Sequence, residues 1–361
     1  MDKKQKLVGI DLVRGLAIYA VVILHSDEGI LVLPVGWSAI AQFSSFAVPF
    51  FLATSFYLVV NKIYTSGTQN SWKSRLKRLL IPYLFWSAVY LLQKSIKYLI
   101  KSDFNQLSHV FYDPVALIFF GDAAIHLYFL PLLFAGTIFI VKFAHSLIKN
   151  QSLFSLVLLL IASIVLYEYL IISGNSFELG SKTGFQQLLA SVWSAGNTNP
   201  IFRICLGDLA LLIRCLPYIL MAMVLNHPTI KKNLKFSLIS TSFLFIVFIV
   251  VNLYGSLFLP TAIYEITRGY TALLLAISCS TNFKESRIIA SLGSCSFGIY
   301  LLHLLVVEVF QSLEKRVYAI TGIQTSVLTL LLFSIFTFLV SWLVVHLLMQ
   351  KKSISKLMFG L

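Results

Sequence analysis

Charge is scarce in this chain. Of its 361 residues only 12% are Asp, Glu, Lys or Arg, about half the share of a soluble domain, which excludes an ordinary water-solvated globule. Acid is scarcer still, with 14 Asp and Glu against 28 Lys and Arg. The four cysteines, Cys205, Cys215, Cys279 and Cys295, fall in apolar stretches without metal-ligand spacing. They read as buried free thiols rather than as a zinc site or a disulfide framework. There is no GxSxG elbow, no P-loop and no HExxH, so the familiar signatures of soluble nucleophile domains, nucleotide hydrolases and zinc peptidases are missing. No metal is expected. No low-complexity tract and no repeat of short fixed period is visible.

What fills the chain is apolar: 58% of residues are hydrophobic and the mean hydropathy is +0.87. Stretches long enough to span a bilayer occur near 8–27, 40–61, 79–100, 126–147, 153–173, 202–225, 236–254, 261–280, 288–310 and 325–348. The expected fold is therefore all-α, a polytopic membrane helix bundle of about ten spans, forming a single domain over 1–361 with no fused soluble domain. Only the short turn LYGSLFLP separates 236–254 from 261–280. The start MDKKQK plus an apolar run imitates a signal peptide. Asp11 and Arg14 interrupt that run and no small-x-small cleavage site follows, so the segment is read as retained.

A net charge of +14 would indicate nucleic acid in a soluble protein. Here it follows from the enrichment of Lys and Arg on cytoplasmic ends of membrane helices, and no nucleic-acid partner is expected. With both termini cytoplasmic, 18 of the 28 basic residues fall inside, among them Lys3, Lys4 and Lys6 and the group Lys73, Arg75, Lys77 and Arg78. Six fall outside: Lys94, Lys97, Lys101, Lys182, Lys315 and Arg316. The longest loop, about 174–201, then faces outward with Glu178 and Lys182, as do Asp27 and Glu28. The expected setting is a multi-pass position in a cell membrane, most simply a bacterial plasma membrane.

Several polar groups interrupt the apolar runs. In DLVRGLAIYAVVILH, Arg14 and His25 are eleven residues apart, roughly three helical turns, so they share a face about 16 Å apart along the axis. Asp11, three residues before Arg14, can neighbour and partly neutralise it. Two readings stand side by side: an interfacial ion pair with a bundle histidine, or a proton carrier at depth. In SWKSRLKRLLIPYLFW, Arg75 and Arg78 lie on one face at i, i+3, suited either to phosphate or to lipid headgroups. Pro82 is expected to kink that helix or open its first turn. His126 opens HLYFLPLLF, and SLGSCSFGIYLLHLLVVEVF holds Tyr300, His303 and Glu308; His303 and Glu308, five apart, make no dyad. Ser294, Ser296 and Gly298 offer small-residue packing contacts. Arg203, Asp208, Arg214, Glu265 and Arg268 put charge in or near two later spans, either paired across the bundle or lining a wet cavity.

Taken in order, Arg14-to-His25, Arg75-x-x-Arg78 followed by RLLIPYLFW, HLYFLPLLF and SCSFGIYLLH resemble the landmarks of acyltransferase family 3, integral membrane acyltransferases, over nearly the whole chain. One departure stands out: VPFFLATSFYL carries Phe56 after Ser55, where the family usually has Ser-Gly, and so large a ring is expected to push the helices apart there. The resemblance implies transfer of an acyl group, usually acetyl from acetyl-CoA, to a hydroxyl of a cell-surface or lipid-linked carbohydrate. It implies His25 as general base or acyl acceptor, Arg14 holding the donor or stabilising charge, and Asp11 orienting Arg14. Arg75 and Arg78 would grip the phosphates of the acyl-CoA, with His126, Tyr300 and His303 as further site candidates. The partners implied are acyl-CoA, a carbohydrate acceptor and membrane lipid.

Two other classes share the polytopic character. A transporter or flippase of glycan precursors would favour broken, Gly/Pro-interrupted helices in matching halves, and no convincing pair is visible. A glycan polymerase would use arginines in a large outer loop, whereas 174–201 carries only Glu178 and Lys182 as charges.

Overall fold

The computed structural model describes residues 7–28, 30, 32–66, 72–150, 152–173, 200–284, 286–321 and 325–361. The N-terminal lysines Lys3, Lys4 and Lys6 and the loop 174–199 with Glu178 and Lys182 lie outside the described residues, as do the side chains of Lys149, Lys315 and Arg316. Regular structure among the described residues is helical, with no strand. Lipid imposes this: backbone groups in hydrocarbon have no water to bond, so each segment must satisfy them internally.

The helices are α1 (Val8–His25), α2 (Trp37–Ser44), α3 (Ala47–Ser66), α4 (Trp72–Ile100), α5 (Phe104–Val110), α6 (Phe129–Asn150), α7 (Leu153–Ile172), α8 (Pro200–Asn226), α9 (Pro228–Asn233), α10 (Leu238–Phe258), α11 (Thr261–Cys279), α12 (Arg287–Thr321), α13 (Val327–Met349) and α14 (Lys352–Phe359), with a π-helical turn at Ala116–Phe120. Nine of the ten expected spans each fall on one of these helices, and 40–61 falls on two, α2 and α3. Among the described residues eight spans are long and apolar enough to cross a membrane, α2 and α3 being joined in one of them. The remaining two of the ten are α6, whose apolar part is the shorter Phe129–Phe143, and α11, which carries Glu265 and Arg268.

The chain divides into two compact units. One comprises Met1–Thr54, Leu234–Pro260 and Tyr264–Ser355; the other comprises Ser55–Asn233, Thr261–Ile263 and Lys356–Leu361.

In the first unit α1 packs chiefly against α12. The approach is close because Gly293 offers no side chain: a Cβ there would lie 2.5 Å from Asp11 Cβ and Oδ1. Of the small residues expected to serve this packing, Ser296 and Gly298 are buried and Ser294 is exposed. The start of α1 is tied to the end of α11 by Gly9 N–H donating to Ser280 Oγ at 3.0 Å. Beyond α1, α2 starts at Trp37, whose buried ring sits against Ile23 and Leu330. Gly36, with φ of +91°, makes the left-handed turn into α2. Serine caps open three helices by accepting a main-chain N–H, Ser237 for α10 and Ser326 for α13 in this unit, and Ser152 for α7 in the other.

In the second unit α8 packs against α6 and α7. Helix α4 begins at Trp72, a full two turns before the apolar run at 79, and continues through Pro82 without interruption. Pro82 thus lies inside the helix rather than in its first turn. Proline has no N–H for the carbonyl of Arg78, four residues back, and the main chain of Gly360 packs at that carbonyl. The C-terminal segment is held on α4 by Trp86 Nε1 donating to Met358 O at 2.8 Å.

Candidate active site

The last residue of α1, His25, is half-buried, and the chain continues for one more turn in helical geometry through Ser26. That turn brings Glu28 back beneath the imidazole, where Oε1 pairs with His25 Nδ1. A carboxylate on Nδ1 orients the ring and directs its proton chemistry to Nε2. The neighbouring residue Asp27 accepts from Trp37 Nε1 at 2.8 Å, so the turn after α1 is anchored through α2.

Helix α12 contributes the second histidine. His303 is fully buried, and its ring centroid stands 5.2 Å from that of His25, the planes tilted by 50°. Its Nδ1 donates to the carbonyls of Tyr300 at 2.7 Å and Ile299 at 3.2 Å. Carbonyls only accept, so Nδ1 carries the proton and Nε2 is the ring's accepting atom in the neutral form. Tyr300 enters through its main chain and through its ring, which is stacked with Phe297 at 6.4 Å and lies 6.3 Å from the His303 ring.

Arg14 lies on the same unbroken helix as His25, roughly 16 Å away along the axis, and helical side chains lean toward the N-terminus, away from His25. Arg14 Nη1 reaches Asp11 Oδ1 at 3.9 Å, an ion pair longer than a hydrogen bond. Asp11 is the residue packed on Gly293, so its carboxylate is held at the α1–α12 contact.

The second unit holds the remaining candidates. Arg75 and Arg78 lie within the first turns of α4 together with Lys73 and Lys77, and the first turn contains no acid. Cations at a helix N-terminus oppose the positive end of the helix dipole, an arrangement that an anion relieves. Arg75 is half-buried, its Nη2 donating to Ser55 O at 3.4 Å, while Arg78 is exposed. His126 precedes α6, is buried, and meets Tyr90 edge-on at 5.2 Å. The expected splaying at Phe56 does not occur. Phe56 is fully buried, and its ring occupies the place where a Cβ on Gly136 of α6 would stand, so the missing side chain on one helix accommodates the extra one on the other. A cavity of about 500 Å³ in this unit is lined by Leu and Phe from α4 and α6, with Lys142 and Asp208 at its polar margin.

Two pairings were not visible in sequence. Glu28 reaches His25 at i+3, beyond the end of the helix that the apolar pattern delimits; the H-x-x-E spacing was the available signal. Arg203 pairs with Asp113 through both guanidinium Nη atoms, one bond being 2.9 Å. Ala116 N–H also donates to Asp113, at 3.0 Å. Burial pushes the Asp113 carboxyl up, but the Arg203 fork and the Ala116 N–H outweigh it and hold the group below its ordinary range. No local pattern announces that pair.

Taken together, these features describe an all-α, polytopic membrane protein with a histidine–carboxylate pair at the end of its first span. The sequence profile of acyltransferase family 3, described as an acyltransferase domain, matches residues 7–346, and the chain belongs to that family. It is a membrane acyltransferase. No curated protein and no solved structure matches the chain.

Proposed function

We propose that this acyltransferase moves an acetyl group from acetyl-CoA to a hydroxyl of a cell-surface or lipid-linked carbohydrate, with His25 as the catalytic base. The observation that carries the reading is the pairing of His25 Nδ1 with Glu28 at the end of α1. Nε2 of His25 takes the proton of the acceptor hydroxyl as its oxygen attacks the thioester carbonyl carbon. The C–S bond then breaks, the thiolate of CoA leaves, and the imidazolium returns its proton to that sulfur. Glu28 acts as a positioning residue, holding the ring and offsetting the charge it gains. The other route, in which Nε2 itself takes the acyl group before the hydroxyl does, uses the same atom.

Arg14 is too far along α1 to touch a carbonyl at His25 and is assigned to holding another part of the donor, with Asp11 setting its position. Arg75 and Arg78 are assigned to donor phosphate, supported by the basic, acid-free start of α4 and by their i, i+3 spacing on one helix face. A cytoplasmic donor and an outward-facing acceptor, in a bacterial plasma membrane, are the setting that the distribution of basic residues favours.

Membranes containing the protein, incubated with acetyl-labelled acetyl-CoA, should yield labelled carbohydrate, and His25→Ala should abolish the label at unchanged membrane yield. Undiminished transfer in that variant overturns the assignment. Substrate flux without label transfer replaces the enzyme reading with a carrier.

A further inference from the structure

Arg268, on α11 in the first unit, is a guanidinium inside the bundle, 8% exposed. Its Nη1 donates to Ser45 Oγ at 2.5 Å and to Tyr264 Oη at 3.2 Å, and the guanidinium lies 4.6 Å from the centroid of the Tyr264 ring. Both hydroxyls pass their own protons on, Ser45 to Gln42 O at 2.6 Å and Tyr264 to Asn252 O at 3.2 Å. Every partner is therefore neutral. Among the described residues no carboxylate pairs with Arg268, and no hydrogen bond is made by Nε or Nη2; Nε is fully buried. Nε and Nη2 form one edge of the planar guanidinium, the edge whose two parallel N–H groups match the two oxygens of a carboxylate or phosphate. That edge therefore has a buried donor with no acceptor among the described residues, a need that an oxyanion would meet.

The position is not remote from the proposed chemistry. Helix α2 is tied at its first residue, Trp37, to Asp27, two positions after His25. At its other end Ser45, the residue that follows its last turn, holds Arg268. These anchors are eight residues apart, on the order of 12 Å along a helix, so α2 is the element that relates the two positions.

We propose that the Nε–Nη2 edge of Arg268 binds an oxyanion, a phosphate or carboxylate group carried by the acceptor. The identity of the anion's carrier rests on the acetyl-transfer reading above; the anion site itself does not.

The full chain, purified in detergent with Arg75→Ala and Arg78→Ala to silence the basic start of α4, is titrated at constant ionic strength with inorganic phosphate or glucuronate, and thermal unfolding is followed. A saturable upward shift is expected with at least one of them, phosphate alone indicating a phosphoryl group and glucuronate alone a carboxylate. The shift should vanish in Arg268→Gln, weaken in Arg268→Lys, whose ammonium lacks the fork, and survive in Arg287→Lys, the same change at an exposed arginine. No shift with either anion, or a shift undiminished in Arg268→Gln, overturns the proposal. If Arg268→Gln does not fold, the comparison of Arg268→Lys with Arg287→Lys decides: a shift weakened only in Arg268→Lys upholds the site, and equal shifts in the two overturn it. An intact shift in a protein that transfers no acetyl group to any carbohydrate keeps the anion site and discards the transfer reading.

Discussion

The imidazoles of His25 and His303 stand 5.2 Å apart, centroid to centroid, joining the end of the first helix to the middle of α12. Each ring is oriented through Nδ1, His25 by the carboxylate of Glu28 and His303 by main-chain carbonyls of its own helix. Each therefore presents Nε2 as its proton-accepting atom in that tautomer, on two helices whose contact is made close by Gly293.

The first prediction concerns Glu28. Replacing it by glutamine keeps a hydrogen-bonding acceptor on His25 Nδ1 and removes the charge, so acetyl transfer should fall by roughly 10- to 100-fold. Glu28→Ala should fall further, since nothing then orients the ring. Initial rates with labelled acetyl-CoA between pH 5 and 8 make the comparison; identical rates and profiles in all three proteins would remove Glu28 from the site.

Arg75 and Arg78 give a different kinetic signature. If they bind donor phosphate, Arg75→Ala with Arg78→Ala should raise the KM for acetyl-CoA at least about tenfold, with a smaller change in kcat. The defect should mimic the effect of added salt on the wild-type protein. A lowered membrane yield with unchanged KM would make the pair a topology anchor instead.

Phe56 and Gly136 should be energetically coupled. Gly136→Ala places a methyl group on the Phe56 ring and should cost about 1–3 kcal/mol, while Phe56→Ala empties a buried site at about 3–5 kcal/mol. In the double variant the added methyl occupies part of the vacated space, so the summed loss should be less than additive. Thermal unfolding in detergent of the four proteins measures this; strict additivity would mean that the contact carries no energy.

The Arg203–Asp113 pair predicts an acid sensitivity. The Asp113 carboxyl is held below its ordinary value in the folded protein. Its contribution is therefore complete above the unfolded carboxylate value, about 3.9, and is lost as pH falls toward the lower folded value. Asp113→Asn should cost about 1.5–3 kcal/mol at pH 7 and lessen the acid-induced decline. Unfolding midpoints at pH 7, 5 and 3 test this, and parallel curves for wild type and variant would contradict it.

Much of the fold is legible in the sequence. Apolar runs of bilayer length have one economical outcome in lipid, and all ten fall on helices, because backbone satisfaction within a segment is a local property. The spacing of Arg14 and His25 is legible for the same reason: a helix without proline converts eleven residues into a fixed rise and angle. Helix α4 continues past Pro82 because a missing N–H leaves only one carbonyl to accommodate, and the structure places Gly360 against it. Phe56 departs from expectation because the room for its ring is made by a glycine on another helix.

What the sequence by itself determined is thus what neighbours along the chain decide: helices, their lengths, the polar face of α1 and the basic start of α4. Only the tertiary structure decided which far-separated groups meet: His303 with His25, Asp113 with Arg203, and Ser45 and Tyr264 with Arg268. Helical periodicity reports which side of a helix is polar or small. It does not report which other helix faces that side, and that choice is made by the packing of whole surfaces, where one glycine can decide how closely two helices approach.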